Sequence, residues 1–530
     1  MSLGLRIPLA LGCLAILIAP PAVGAARFTV CLFSFNSPDE VAVFRSWLPP
    51  ADFEMVDLTP ALLPTQMASA ARKEREGADE GSWLLDLCRP DLQCDIVVYS
   101  GEFAGRFFGA YGASLSLQAM EEAACASRCG GLFHAPREVF LLGCNTLATK
   151  DQDHRSPAEY LQVLLEHGFD RPSAERAVEM RYGPLGPSFR EALRRIFAGV
   201  PRLYGFSSVA PQAPYSVPRL ERYFRVKGDY ARWLERAGRS EVRNRELFAA
   251  FAGTDIAQTS GLGPVDPAVH DRDRLCALYD ETRSLAARLR IVGELLRRED
   301  MLSFVPTIEV FFNRHPAQLF QGEARVLFEA IQANEEARRR VVGLVRDLGI
   351  SASRLELAHL AHHLGWMDDE EFRALALDTA RQLLARPLSS DAVDIVCEIV
   401  RRQPIGDAIA VDDFPPGTFA VAEGLRMVDC LRPADRQVSD RLLEALHAPD
   451  VSVRLWAAFA LSHRLPLSEV QLLHLADRLR DDPPELRERL AWIFRMQSPL
   501  AGRVLAAVAR SDPALAERLA PLAARPSRRH

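Results

Sequence analysis

Lysine is nearly missing from this chain of 530 residues: Lys73, Lys150 and Lys227 are all there are, and the remaining positive charge is arginine. A basic excess is missing too, since 64 basic residues face 70 acidic ones for a net charge of −6. No nucleic-acid partner is expected, because neutralising phosphate needs a concentrated positive surface. Past residue 26 there is no run of 18 apolar residues, so no integral membrane segment is expected in the rest of the chain. With 31 glycines, 35 prolines and 10 cysteines over this length, the composition excludes collagen-like, low-complexity and disulfide-dense miniprotein classes. P-loops, dinucleotide glycine fingerprints and H-E-x-x-H motifs are absent, and neither a cofactor nor a metal is expected. His359, His362 and His363 crowd about one helical turn without a further ligand at a diagnostic spacing, and read as a helix-surface cluster.

What is present is an ordinary globular composition, 48% hydrophobic and 25% charged. The length suits about three domains. Met1–Ala26 carries one early positive charge at Arg6, an apolar run from Ile7 to Ala19, and the small residues Ala22 to Ala26. That pattern is a secretory signal peptide over 1–25, cleaved near Ala25. An uncleaved anchor is the alternative, but the run is shorter than the ~20 residues a spanning helix needs. Cys13 after Ala10-Leu11-Gly12 loosely imitates a lipoprotein box, and the long apolar stretch behind it speaks against lipidation. The mature protein is expected in the periplasm or the medium.

Export changes the meaning of the cysteines that follow the leader: Cys31, Cys88, Cys94, Cys125, Cys129, Cys144, Cys276, Cys397 and Cys430. An odd number in an oxidising compartment leaves a thiol free or bonded to another chain. Cys88 with Cys94 and Cys125 with Cys129 are two close pairs, and these four are the disulfide candidates. Reduced thiols and a four-thiolate zinc site stay open as alternatives, although C-x5-C and C-x3-C fit zinc spacings poorly. The unpaired cysteine is expected to be Cys144.

Two halves differ in periodicity. From 26 to 240, apolar strand-like runs (Phe28–Phe35, Phe53–Leu58, Cys94–Ser100, Glu138–Cys144, Arg202–Val209) alternate with amphipathic segments such as Pro38–Leu48, Glu80–Cys88, Ser116–Cys125, Ser156–Gly168 and Ser188–Ala198. This predicts an α/β domain, a mostly parallel sheet with helices on both faces. Residues 241–267, which include the glycine-, proline- and serine-rich Gly253–Pro267, read as a linker. Beyond it, 268–430 reads as an all-α domain. Within 431–525, Leu442–Leu461 has a helix, a Pro449-Asp450 turn and a second helix opened by Val453-Arg454. Leu475–Phe494 repeats the form with Leu486-Arg487, and Val504–Leu519 suits a terminal unit. These units resemble HEAT helical repeats, which implies a short solenoid, with a generic helical bundle as the alternative.

In an open parallel sheet, chemistry gathers at the carboxyl ends of strands. One strand ends in Ser100-Gly101-Glu102 and another in Gly143-Cys144-Asn145, each with a glycine just before the key side chain. The pair resembles the caspase-like cysteine peptidases, the clan that includes the CHAT domains, over roughly Arg27–Val209. There one strand running into His-Gly supplies the base, and the next, ending in a small residue and Cys, supplies the nucleophile. The resemblance implies a caspase-like fold with Cys144 as nucleophile and an oxyanion donor near Gly101. The sequence departs at Glu102: residues 95–112 contain no histidine. A carboxylate next to the thiol raises its pKa where an imidazolium would lower it. His134 belongs at the opposite end of the sheet by chain length, whereas His154 follows Cys144 at the correct end and is the nearby substitute base.

Gly101–Gly112 interleaves four glycines, four aromatics and Arg106, which suits either a ligand groove or a core-completing connection. Arg106, Asn145, Ser207 and Ser208 are the groove candidates. The sequence prefers an exported, catalytically degenerate caspase-like domain joined to a helical-repeat scaffold whose partner is a protein or peptide. The alternatives are an active cysteine peptidase using Cys144 with a non-standard base, and a plain α/β module in which Cys144 is a small core residue. Whether the chain is an enzyme is left open, and no oligomeric state follows.

Overall fold

Alternate side chains of a strand point to opposite faces of its sheet, and here helices cover both faces, so the central strands read as unbroken apolar runs. The computed structural model describes residues 28–517 without 36, 60–81, 109–113, 150–155, 167–170, 184–187, 350–351, 432–434 and 465, and with scattered residues only in 386–413, 479–499 and 515–517. The leader read at 1–25 lies outside the described residues.

The strands in chain order are β1 (Phe28–Ser34), β2 (Phe53–Asp57), β3 (Ile96–Ser100), β4 (Glu102–Phe103), β5 (Arg106–Phe108), β6 (Ser114–Ser116), β7 (Glu138–Leu142), β8 (Leu203–Phe206) and β9 (Ile256–Thr259). Six of them form the main sheet in the order β2-β1-β3-β7-β8-β9, parallel except for the last pair. β4, β5 and β6 make a small antiparallel sheet of their own. On one face of the main sheet Phe33, Val97, Tyr99, Val139 and Leu141 pack against the helices Ser82–Leu87, Leu117–Cys125 and Phe189–Ile196. On the other, Val30, Leu32, Ile96, Val98 and Phe140 meet Pro38–Trp47, Ala213–Lys227 and Tyr230–Ala237. The helices start where the sequence signals them: Ser116 accepts from Ala119 N and Ser188 from Glu191 N, each satisfying an otherwise orphaned amide.

At the amino end of β7, Glu138 and Arg202 form a fully buried ion pair at 3.0 Å. Tyr204, Trp233 and Tyr230 also donate to the Glu138 carboxylate, so every buried partner in this network is used and the charges are compensated.

The stretch 241–267 is not a linker. The helix Arg245–Ala250 packs Leu247 and Ala250 into the core, and β9 pairs antiparallel with β8, with Phe206 opposite Ile256. Gly261 then presses on the preceding helix end, where a Cβ would stand 1.8 Å from the Phe197 oxygen. The glycines that suggested a flexible connection serve this close approach instead.

From Val269–Tyr279 onward the described elements are all helical. One continuous apolar core runs from Leu275 to Val508, with no break at 430. The helices Arg436–Ala445 and Val451–His463 carry the first repeat-like unit; Asp450 caps the second by accepting from Ser452 N at 2.7 Å, and Arg454 donates back to the Ala448 oxygen at 2.8 Å. Most of the second unit, Leu475–Phe494, lies outside the described residues. The three histidines are not a surface cluster. Their helix, Ala352–His363, has no exposed residue among those described; His359 is 2% exposed and bonds the Glu309 carboxylate at 2.6 Å, while His362 and His363 are half-buried. Among the described residues no group of side chains is placed to hold a metal, and no helix is long and apolar enough to cross a membrane.

The two halves are joined covalently and by charge. Cys125 is disulfide-bonded to Cys276, and Arg314 grips Glu122 through two hydrogen bonds of 2.8 Å.

Candidate functional site

β3 and β7 are direct parallel neighbours, with Ser100 opposite Leu142, so the segments 101–103 and 143–146 leave the sheet side by side at its carboxyl edge. Gly143 makes that proximity possible. A Cβ there would stand 2.8 Å from both the Gly101 oxygen and the Phe103 Cβ. Two residues on, Asn145 adopts a left-handed backbone, φ 59°, the one non-glycine residue to do so among those described. Asparagine tolerates this conformation better than other side chains, yet it still stores strain.

Cys144 sits between these residues, 9% exposed, with the Ala210 amide donating to its Sγ at 3.4 Å. Burial pushes the thiol pKa up to about 11; the Ala210 amide works against this, and the carboxylates of Glu102 and Glu40 add to it. Glu40 is itself buried, held between the hydroxyls of Ser100, at 2.6 Å, and Ser216. Burial raises its carboxyl above the ordinary range, with the two serine hydrogen bonds opposing. Because β1 leads on to β2 on one side of it while β3 leads to its next sheet neighbour, β7, on the other, this Glu40–Ser100 bond lies at the crevice where open α/β sheets take ligands.

On the other side of the thiol, Asn145 donates to the Tyr160 hydroxyl and accepts from Arg181. The Arg181 guanidinium lies over the Tyr160 ring at 4.6 Å and also reaches the Ser207 oxygen at 3.4 Å. The strained Cys144-Asn145 turn is thus clamped by a buried polar network, and Tyr160 too is shifted upward, by burial first and then by Cys144.

The remaining sequence candidates divide. Ser208 is buried beside the turn and its oxygen accepts from Asn145 N at 2.7 Å, whereas Ser207 is exposed and bonds Asp255. Gly101 does not offer an oxyanion donor: its amide donates to the Leu142 oxygen at 3.2 Å and belongs to the β3–β7 ladder. Arg106 is half-buried on β5 opposite Ser116. In the described part of the glycine- and aromatic-rich segment, 101–108, two aromatics complete the core: Phe103 packs on Phe189 and Phe107 stacks on Tyr99. His154 lies outside the described residues. His134 is at the far end of the sheet, its ring nitrogens on the Ala198 and Ala124 oxygens.

All four disulfide candidates are in disulfides, but neither close pair is one. Cys88 joins Cys129, Cys94 joins Cys31 and Cys125 joins Cys276, while Cys144 is the free cysteine among the described residues. Cys88 and Cys94 flank the entry to β3, where Cys94 faces Cys31 on the adjoining β1 and Cys88 faces the helix-end segment holding Cys129. Nearness in sequence is not nearness across the fold.

Sequence reasoning missed Glu40, Ser216, Tyr160 and Arg181. Glu40 alone had a local signal, an acidic residue in the first turn of the helix after β1. The two clefts described lie in the helical half, one lined by Tyr279 and Arg288 and the other by His270 and Arg274, and neither touches Cys144. Chemically, the site holds a neutral thiol with the carboxylates of Glu102 and Glu40 acting on it, on a turn where the Gly143 and Asn145 amides already donate to the Leu141 and Ser208 oxygens. No family model, no curated protein and no solved structure matches the chain.

Proposed function

We propose that the α/β half is a catalytically silent caspase-like domain, exported and joined to a HEAT-like helical scaffold that binds a protein or peptide. The observation that carries this reading is the environment of Cys144, a buried thiol pushed up to about 11, with Glu102 and Glu40 adding to the shift. A cysteine nucleophile works as its thiolate, and an adjacent imidazolium is what makes that thiolate available. The descent from a cysteine-enzyme arrangement is supported by the adjacency of β3 and β7 and by the strained Asn145 directly after the cysteine. The Asp450-capped helix pair supports the scaffold part, and four disulfides among the described residues suit an oxidising compartment.

The test is labelling by a thiol-reactive peptide probe at neutral pH, comparing wild type with Cys144→Ala and Glu102→His. Wild type should react on the order of a hundredfold more slowly than a free cysteine, following the lost thiolate fraction. Glu102→His should accelerate labelling of Cys144. Rapid acylation of the wild-type thiol would overturn the silent reading and favour the alternative, an active cysteine peptidase.

A further inference from the structure

Arg288 lies on the helix Leu285–Leu296, in the helical half and well away from Cys144. It is only 5% exposed, its guanidinium sits 5.6 Å from the Phe311 ring centre, and its one hydrogen bond is a long one, 3.4 Å to the Leu278 oxygen. Its Nε is buried and has no partner among the described residues, and no carboxylate among them comes within ion-pair distance. Two of the other three buried arginines among the described residues sit on a carboxylate, Arg202 on Glu138 and Arg464 on Asp429. A buried cation without a counter-charge is costly, and arginine does not escape by losing its proton.

A cleft of about 250 Å³, counting its open mouth, lies in front of this guanidinium. It is lined also by the buried hydroxyl of Tyr279 and by Arg314, His315 and Glu281. Asp280, beside the mouth, already accepts from Thr282 and Arg283, and Glu281 is exposed at the rim. Arg314 is engaged by Glu122 of the α/β half. The enclosed part has room for about one water-sized particle, which excludes a nucleotide or a sugar and suits a single small ion.

We propose that this cleft binds a small monovalent anion, chloride or the carboxylate of a short acid, held by Arg288. The anion supplies a direct counter-charge where Glu281 and Asp280 act only from beyond ion-pair distance, beside the contact through which Arg314 ties the two halves together. Differential binding to the folded state then stabilises the chain by mass action.

The mature chain is melted in sodium chloride, sodium formate and sodium gluconate at equal ionic strength. The melting temperature should rise saturably with chloride or formate but not with gluconate, which is too large to enter. A response to both assigns a general small-anion site; a response to formate alone assigns a carboxylate site. Arg288→Met should abolish the response. Glu281→Gln, which removes the competing carboxylate at the mouth and tests the site even where Arg288→Met fails to fold, should lower the half-saturating concentration on the order of tenfold. Equal melting in all three salts overturns the proposal, as does a persistent response in Arg288→Met. So does a Glu281→Gln chain that loses stability equally in every salt, because Glu281 itself would then be the counter-ion.

Discussion

At the scale of single residues, Cys144 couples the fold to pH. Its thiol is raised from the ordinary 9.0 to about 11, burial being the main cause. Between those values the unfolded chain has lost the thiol proton and the folded chain still holds it, so folding stability falls as pH rises. Below pH 9 the contribution is fully present; across pH 9 to 11 it declines by about 3 kcal/mol, at 1.36 kcal/mol per pKa unit. Denaturant titrations at pH 8 and pH 11 should therefore show a larger alkaline loss for wild type than for Cys144→Ala, and parallel losses would contradict the buried-thiol description. Cys144 and Glu102 were legible in the sequence because an apolar run ending in glycine and a polar residue marks a strand end without knowledge of the fold. Tyr160, Arg181 and Ser216 were not. They arrive on helices whose apolar spacing tells which face is buried, while their polar meeting with Asn145 or Glu40 depends on tertiary geometry.

At the scale of elements, the β3–β7 edge depends on the absence of a side chain at Gly143. A methyl group there would press on a backbone oxygen and a Cβ, each at 2.8 Å and neither at the end of a flexible chain. Gly143→Ala should cost about 1–3 kcal/mol in equilibrium unfolding, the range for overpacking a filled site. Wild-type stability in that variant would mean that the two strand ends are not in close contact. Four of the five parallel strands, β1, β3, β7 and β8, were legible because burial on both faces leaves a continuous apolar signature, whereas β2 is an edge strand with Glu54 and Asp57 exposed. β9 was not, since a four-residue antiparallel edge strand that is half-buried throughout needs no apolar run, and its neighbouring glycines imitate a linker. The aromatics of 101–112 left two readings open; Phe103 and Phe107 resolve theirs by packing into the core.

At the scale of the whole molecule, disulfides cross-link the α/β half internally and to the helical half. The division into an α/β and an all-helical half was legible from the change of period, but its seam was not, because Cys125 and Cys276 are 151 residues apart and pair only through docking. Eight of the nine cysteines after residue 26 are in disulfides. A chain starting at residue 26, denatured without reductant, should therefore titrate with one thiol; the full sequence would add Cys13 as a second, and a higher count would contradict the disulfide set. The proposal of a silent cysteine site turns on the ionisation of Cys144. The most direct measurement is the rate of Cys144 alkylation in the native protein, followed by peptide mass spectrometry from pH 6 upward. A silent site predicts a rate that is negligible near neutrality and climbs toward an inflection near 11. A plateau already reached at pH 7 would mean a stabilised thiolate and would contradict the silent site.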